Sequence, residues 1–442
     1  MAEASTKSLT ISEEGNYPVV QELKDILDKD STMKADLLRS LKKAVSKAKM
    51  DLNPELFKAV NAQFNEHGWP TTIDDYYVYL NMYVKLTPDE KRSKEYPGGW
   101  TSDGTKNGYN QKVYDLLCQF YWLVDQPYKG KTMQDNPKFS DWLKKFAHAW
   151  GEYLDTKESL TPETLATFAN DKVVIDGEKV SVYNYPLYKD NEKTWTTFNQ
   201  FFYREFNHAA PDTGITPLRP IAEPNNNQTI TAPADCTFKM NYHIDQAGNV
   251  LDTEKNPANP KLKHTHTIGN INDLLDGSEY AEAFYGGTFI HYFLNPFDYH
   301  RFHTPVFGEV VDFKAIQTNV FLNVELSKDG QFNAPDGAEN GYEFNQARGL
   351  IMVDAPNLGK VAVLPIGMAQ VSGVHMDTDR IKKGDMVVKG QEFGKFKFGG
   401  SDIIVLLPKA PDFYLFKKDP GHNAIHFQYG QTIAYWNEKN EQ

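Results

Sequence analysis

Three short segments in the second half of the chain carry residue types that can do chemistry. Ala232-Pro233-Ala234-Asp235-Cys236 offers a carboxylate. Asp298-Tyr299-His300-Arg301-Phe302-His303-Thr304-Pro305 offers two imidazoles three residues apart. Lys395 to Asp402 ends in Gly399-Gly400-Ser401-Asp402 and runs into the apolar stretch Ile403 to Leu407. A serine hydroxyl is a weak nucleophile until a base takes its proton, and the base needs an acid to orient it. Asp235, His303 and Ser401 are the right types for that arrangement if the fold gathers them. Each segment also has a plainer reading. Gly-Gly-Ser ahead of an apolar strand is an ordinary hairpin turn. His300 and His303 are equally a pair of packed histidines, or two ligands of a metal. The metal reading is poor, because no glutamate is inserted as a general base and no third ligand stands out. His264 and His266 lie among Lys and Thr residues that read as an exposed loop.

The elements that must hold these segments differ between the two halves. Val19, Val20, Leu23, Ile26 and Leu27 recur at helical spacing, as do Leu37, Leu38, Leu41 and Val45. Further helices are predicted near Leu56 to Phe64, Tyr76 to Val84, Val113 to Leu123 and Trp142 to Leu154. Thr87-Pro88-Asp89-Glu90 reads as a helix start, and the Gly-rich stretch Tyr96 to Gly108 as a loop. Thr197 to Phe206 reads as a short aromatic helix. From Thr229 the pattern turns to strands, with runs at Gly287 to Leu294, Gly308 to Phe313, Leu350 to Val353 and Val361 to Ile366 between Gly, Pro, Asn and Asp. The expectation is an α+β chain, with a helical domain over residues 1–180 and a β-rich domain over residues 181–442.

Composition narrows the function classes. The 442 residues carry a net charge of −12, which disfavours a nucleic-acid surface and docking on anionic lipid. With only two cysteines, Cys118 and Cys236, neither a disulfide framework nor a cysteine zinc site is expected. The N-terminus lacks the basic-then-apolar pattern of a signal peptide, and no apolar run approaches the roughly 20 residues of a membrane-spanning helix. The expected location is the cytoplasm. Aromatics are plentiful, with 24 Tyr, 27 Phe and 7 Trp, enough for a large core and aromatic-lined pockets.

The three segments, in this order, resemble the phosphatidylserine decarboxylase family. They stand here as Pro233 to Cys236, Tyr299 to Pro305 and Gly399 to Ser401, and Thr197 to Glu205 is similar to the entry segment of the same domain. The resemblance covers roughly the last 250 residues. It implies a triad in which Asp235 orients His303 and His303 deprotonates Ser401. Ser401 would attack the carbonyl of Gly400, turning the amide into an ester. β-Elimination and hydrolysis would then release ammonia and leave a pyruvoyl group in place of Ser401. The implied cofactor is this covalent pyruvoyl group, an electron sink that takes the substrate amine as a Schiff base. His300 would return a proton to the carbon that loses carbon dioxide. The two fragments, cut between Gly400 and Ser401, would stay associated; homodimer formation is left open.

Two positions depart from the family pattern. Cys236 stands where Gly is usual, and Asp402 where Thr or Ser usually follows the serine. A carboxylate at 402 would raise the pKa of His303 and slow self-cleavage. The long helical extension is similar to a soluble branch that includes a tryptophan decarboxylase and other aromatic amino-acid decarboxylases. The favoured substrate is therefore a free aromatic amino acid, with phosphatidylserine as the alternative. A third reading comes from the turn pattern Lys382-Lys383-Gly384-Asp385 to Gly390, which resembles swivelling biotinyl- or lipoyl-type barrels and would suit a non-catalytic binding scaffold.

Overall fold

The computed structural model describes residues 15–436 except 90–110, 169–171, 176–177, 182–187, 190–194, 207–218, 253–265, 295–297, 317–319, 335–341 and 369–372. The chain divides into two compact units. One holds the described residues up to Trp150 apart from Thr87–Asp89, together with Val324–Asn333. The other takes the rest from Gly151 onward. The division falls some way before residue 180. One reason is that Gly151, near the end of the last long helix, already accepts a hydrogen bond from Asn199 at 3.1 Å.

The helical unit is built from Pro18–Lys29, Ser31–Asp51, Pro54–Gln63, Ile73–Tyr83, Gln111–Val124 and most of Pro137–Leu154. Its helix starts follow local chemistry. Asp30 caps the second helix by accepting from the Met33 amide. Asn53 caps the third, with Pro54 in its first turn, and Thr72 caps the fourth. Apolar spacing chooses the buried faces: Leu23 and Leu27 in one helix, and Leu37, Leu41, Ala44 and Ala48 in the next, are sealed. Ile26, Leu38 and Val45 lie at the margins of those stripes and are only half-buried. Buried polar tips find partners: Tyr79 donates to Gln119 at 2.6 Å and the Trp142 indole to the Val19 carbonyl at 2.8 Å. Thr87 to Asp89 are irregular, and the helix they were expected to open lies outside the described residues, as does the Tyr96 to Gly108 loop.

The β unit centres on a ten-stranded antiparallel sheet among the described residues. Across it run Met386–Val387, Gly308–Ile316, Arg348–Ala355, Gly359–Met368, Gly400–Leu407, Thr288–Leu294, Cys236–Ile244, Asn249–Asp252 and His266–Asn270, with His426–Phe427 also paired to Cys236–Ile244. Gly400–Leu407 lies in the interior of this order. Ser401 pairs with Gly367 on one side and Leu294 on the other, and Leu406 with Ala362 and Phe289. Strand side chains alternate between faces. Ile404 and Leu406 therefore join Ile244, Phe289, Leu350, Met352, Leu364 and Ile366 in one core, while Ser401, Ile403 and Val405 point to the other face. Two small sheets flank this one: Arg301–His303 with Glu392–Phe396 and Val374–Met376, and Phe413–Leu415 with Thr432–Trp436 and Thr229–Thr231.

The expected strands are present; three of the four extend two or three residues further, because pairing continues where apolar content ends, while the fourth begins at Thr288 instead of Gly287. The aromatic helix is shorter than its sequence suggests: only Phe198–Phe202 is helical, and Glu205–Phe206 pairs with Tyr188–Lys189. His266 begins a strand instead of lying in a loop, and His264 falls outside the described residues. Because Leu364 is sealed in the central core, Leu364→Ala should cost about 2–5 kcal/mol. The expected outcome is faster hydrogen exchange across Gly359–Met368 and Gly400–Leu407, with the helical unit unaffected.

Candidate active site

Ser401 sits at the head of the interior strand and is fully buried. Its hydroxyl donates to the Gly399 carbonyl at 3.4 Å, one residue short of the carbonyl that self-cleavage would attack. The segment leading to it is fastened. The Asn199 side chain accepts from the Phe398 amide at 3.3 Å and donates to Asp155 at 2.9 Å, while Lys397 pairs with the same Asp155 at 2.7 Å. Thr197 caps this short helix through the Gln200 amide, which sets Asn199 in place.

His300 belongs to an aromatic cluster beside that segment. Its ring stacks on Phe202 with centroids 3.8 Å apart, and Phe202 in turn packs against Phe398 at 5.0 Å. Phe198 meets Phe398 at 5.2 Å and Phe396 lies 6.2 Å from the imidazole. The His300 carbonyl accepts from the Phe396 amide at 2.9 Å, so its backbone is tied to the same strand. The neighbouring Arg301 is clamped between Glu205 and Glu392 and donates to the Tyr203 carbonyl at 2.8 Å. That clamp fixes the backbone from which both histidines project.

His303 has more polar surroundings. Its Nδ1 lies 2.9 Å from the Gly390 carbonyl and its Nε2 3.0 Å from the Tyr299 hydroxyl. A carbonyl can only accept, so Nδ1 carries the proton and the Nε2 lone pair is left basic, accepting from Tyr299. Burial pushes the Tyr299 phenol well up, so it remains a donor. The ring is stacked on Tyr429 at 4.0 Å. The His303 amide donates to the Pro233 carbonyl at 2.6 Å, drawing the Asp235 segment alongside.

Asp235 is held by a bidentate pair with Arg219, both contacts 2.9 Å, and by the Tyr429 amide at 2.9 Å. Burial opposes ionisation of its carboxyl, but the guanidinium and these hydrogen bonds outweigh burial and hold it below the usual carboxylate range. The direct Asp235–His303 contact implied by the resemblance is thus replaced by an indirect one. The backbone of Tyr429 satisfies Asp235 while its ring supports His303. The Ser401 hydroxyl likewise makes no hydrogen bond to His303; it is turned back to Gly399. The fold gathers Asp235 with His303 and places His300 against the segment before Ser401.

The two departures noted in the sequence have separate outcomes. Cys236 starts a regular strand, pairing with Phe427, where no glycine is needed. Asp402 lies on the opposite face from Ser401, buried with its Oδ2 3.1 Å from His291 Nε2. Its charge is directed to that imidazole, not to His303.

Several contributors escaped sequence reading. Lys389 is buried and donates to the carbonyls of Glu223, Asn226 and Thr229 at 2.6–2.8 Å, with burial lowering its pKa to about 8. This anchors the turn that presents Gly390. Gly390 has φ +82°, and a Cβ there would meet Ile221 at 2.6 Å. Arg219, 16 residues before Asp235, and Tyr429, 194 after it, carry no local signal; Tyr299 lay within the histidine segment, and Lys389 and Gly390 within a turn pattern read for another purpose.

Comparison with known proteins follows this geometry. A family model described as phosphatidylserine decarboxylase matches residues 198–435, more than half of the chain and all of the segments above. The chain belongs to the phosphatidylserine decarboxylase family. It is similar to phosphatidylserine decarboxylase proenzyme 2 of Komagataella phaffii, 28% identical over 64% of this chain and 24% of that protein. It is also similar to decarboxylase iboD of Amanita muscaria, 23% identical over 66% of this chain and 83% of that protein. The phosphatidylserine decarboxylase proenzyme of Fusobacterium nucleatum is 27% identical over 60% of this chain and 74% of its own length. The chain thus spans about a quarter of the yeast relative and most of the other two. Among the described residues of this family member, no group of three or more His, Cys, Asp or Glu is placed to hold a metal, and no helix is long and apolar enough to cross a membrane.

Two outcomes test the arrangement. Arg219→Met should cost about 3–5 kcal/mol by stranding the buried Asp235 carboxylate, read as a lower urea midpoint. The Asp235 contribution is present above the ordinary carboxylate pKa. It is lost as pH falls through the lower folded-state value, so the variant's deficit should shrink on acidification. Gly390→Ala should strain the turn by about 1–2 kcal/mol and displace the carbonyl that fixes the His303 tautomer. Self-cleavage should slow at least tenfold while the melting temperature falls by only a few degrees.

Proposed function

We propose that this chain is a self-processing, pyruvoyl-dependent decarboxylase acting on a free amino acid, aromatic for preference, in the cytoplasm. The observation that carries the reading is a buried Gly-Gly-Ser junction at the head of an interior strand, in a unit whose His303 has its Nε2 lone pair available to a hydroxyl donor. Two glycines before Ser401 let the hydroxyl approach the Gly400 carbonyl, since no Cβ obstructs it. His303 is suited to take the serine proton once Nε2 exchanges the Tyr299 hydroxyl for Ser401. Asp235 supports it through Tyr429. Ser401 lies beyond the fastened segment 397–398, a placement that suits a residue converted to a pyruvoyl group. When formed, that group would supply the electron sink for loss of carbon dioxide. The cut would leave the 401–407 strand hydrogen-bonded on both sides, which favours the two fragments staying together. His300 is suited to return the proton, because its aromatic surroundings keep water away from the ring.

The aromatic cluster of Phe198, Phe202, Phe396 and Phe398 supports an aromatic substrate, since flat rings pack favourably against such walls. The likeness to decarboxylase iboD, over 83% of that protein, is in keeping with decarboxylation. Phosphatidylserine is the second reading, favoured by the names of the other relatives.

Intact mass of the purified protein should give a large fragment ending at Gly400 and a small one of residues 401–442. The small fragment should lack a free α-amine and react with hydroxylamine; full-length chain alone after long incubation would refute self-processing. His303→Ala should block cleavage. His300→Ala should cleave normally and then decarboxylate at least a hundredfold more slowly. Supplied side by side with free Trp, Tyr and Phe and with phosphatidylserine vesicles, the processed enzyme should release carbon dioxide from a free amino acid. Turnover of phosphatidylserine alone would transfer the assignment to the lipid and leave the self-processing chemistry intact.

A further inference from the structure

Behind the scissile junction lies a second set of ionisable groups that the chemistry above does not use. Asp402, His291 and Glu343 are 0–1% exposed. His291 Nε2 is 3.1 Å from Asp402 Oδ2, and its Nδ1 is 3.7 Å from Glu343 Oε1. Strand register explains the grouping. His291 is the cross-strand partner of Ile404, which shares a face with Asp402, so both side chains enter the face opposite Ser401. Arg348 joins that face, because it pairs with Ile366 and Ile366 pairs with Asp402.

We propose that Asp402, His291 and Glu343 form a buried charge-compensating chain, in which the His291 proton neutralises Asp402 so that self-cleavage at Ser401 can proceed. This rests on the self-processing reading. In this sealed site the Asp402 carboxylate is compensated by the imidazole it touches. Arg348, on the same face, spends its guanidinium on the carbonyls of Asp273, Leu274, Phe344 and Gln346. A proton on His291 offsets the Asp402 charge; loss of that proton removes this compensation beside residue 401. Lys239 of the Cys236–Ile244 strand, half-buried with its ammonium over Phe293 at 4.7 Å, also acts on the ring and opposes a proton there. His243 of the same strand is exposed near its far end.

The chemistry at 401 makes this charge matter. As the Ser401 oxygen bonds to the Gly400 carbonyl carbon, the carbonyl oxygen becomes anionic. The C–N bond then breaks, with a proton delivered to the departing nitrogen. In the elimination that follows, loss of the Ser401 α-proton builds negative charge on the Ser401 carbonyl oxygen, and the Gly400 carboxylate leaves. Both steps develop anionic charge within one residue of Asp402, in a medium where Coulomb interactions are weakly screened. An uncompensated carboxylate there opposes them. Burial by itself would discharge His291, but Asp402 and Glu343 outweigh burial and raise its pKa. The ring therefore holds its proton to higher pH than a free imidazole does. Asp402 and His291 act as positioning residues, through the field they set at the junction.

The test follows cleavage of freshly translated full-length chain between pH 5.5 and 9.5, reading both fragments by intact mass. Wild type should cleave more slowly once the pH is raised far enough for His291 to lose its proton. Asp402→Asn should abolish the alkaline fall. His291→Gln should cleave at least tenfold more slowly at pH 7.5, and adding Asp402→Asn to it should restore the rate to within threefold of wild type. If His291→Gln does not fold, Asp402→Asn decides alone. An alkaline fall that survives in Asp402→Asn, or a double variant as slow as His291→Gln, overturns this inference while self-processing stands. Wild type that stays intact at every pH overturns both.

Discussion

The pairing of Gly400–Leu407 on both edges is the constraint on which the rest of the β unit depends. Residues 400–406 pair with Gly359–Met368 on one side and residues 401–407 with Thr288–Leu294 on the other. The apolar run Ile403 to Leu407 has no exposed residue. Its burial contributes roughly 1.5–3 kcal/mol for each large side chain. A strand so embedded cannot shift register by one residue without sending every buried side chain to the wrong face. Ser401 therefore inherits its position from the hydrophobic core that follows it. The reacting junction is placed by the most strongly specified part of the sheet.

Alternation along that strand separates two kinds of chemistry. One face carries Ser401 with Ile403 and Val405. The other presents Asp402 to His291 and Glu343. Neighbouring residues thereby enter different environments, so one carboxylate can sit beside a nucleophilic serine in sequence without meeting it in space. The same logic separates the histidines: His300 is enclosed by phenylalanines, whereas His303 rests on Tyr429 with both ring nitrogens hydrogen-bonded. Environment, more than residue type, sets what each imidazole can do.

The supporting contacts come from distant parts of the chain. Arg219 and Tyr429 lie on either side of Asp235 in sequence and converge on it. Lys389 gathers three carbonyls from residues 223–229 and so fixes the turn whose Gly390 carbonyl sets the His303 tautomer. Asn199 and Asp155 secure the approach to Ser401. Apart from the exposed Asp155, these groups are buried or half-buried and hydrogen-bonded, which is the condition under which a polar site can be rigid.

Much of this was legible in the sequence. Helical spacing in the first half and short apolar runs in the second determined the α+β division, because apolar periodicity is a local property of the chain. The residues Asp235, His300, His303 and Ser401 stood out by type, spacing and order. Which of them would touch was not legible, because contacts between residues on separate elements are settled by packing. Tertiary structure alone gave Asp235 to Arg219 and the Tyr429 amide, turned the Ser401 hydroxyl to Gly399, and set Tyr299 on the His303 lone pair. It also turned Asp402, expected from sequence to act on His303, toward His291 on the reverse face. A one-residue step along a strand reverses the direction of a side chain, and only the register of the whole sheet says which face is which.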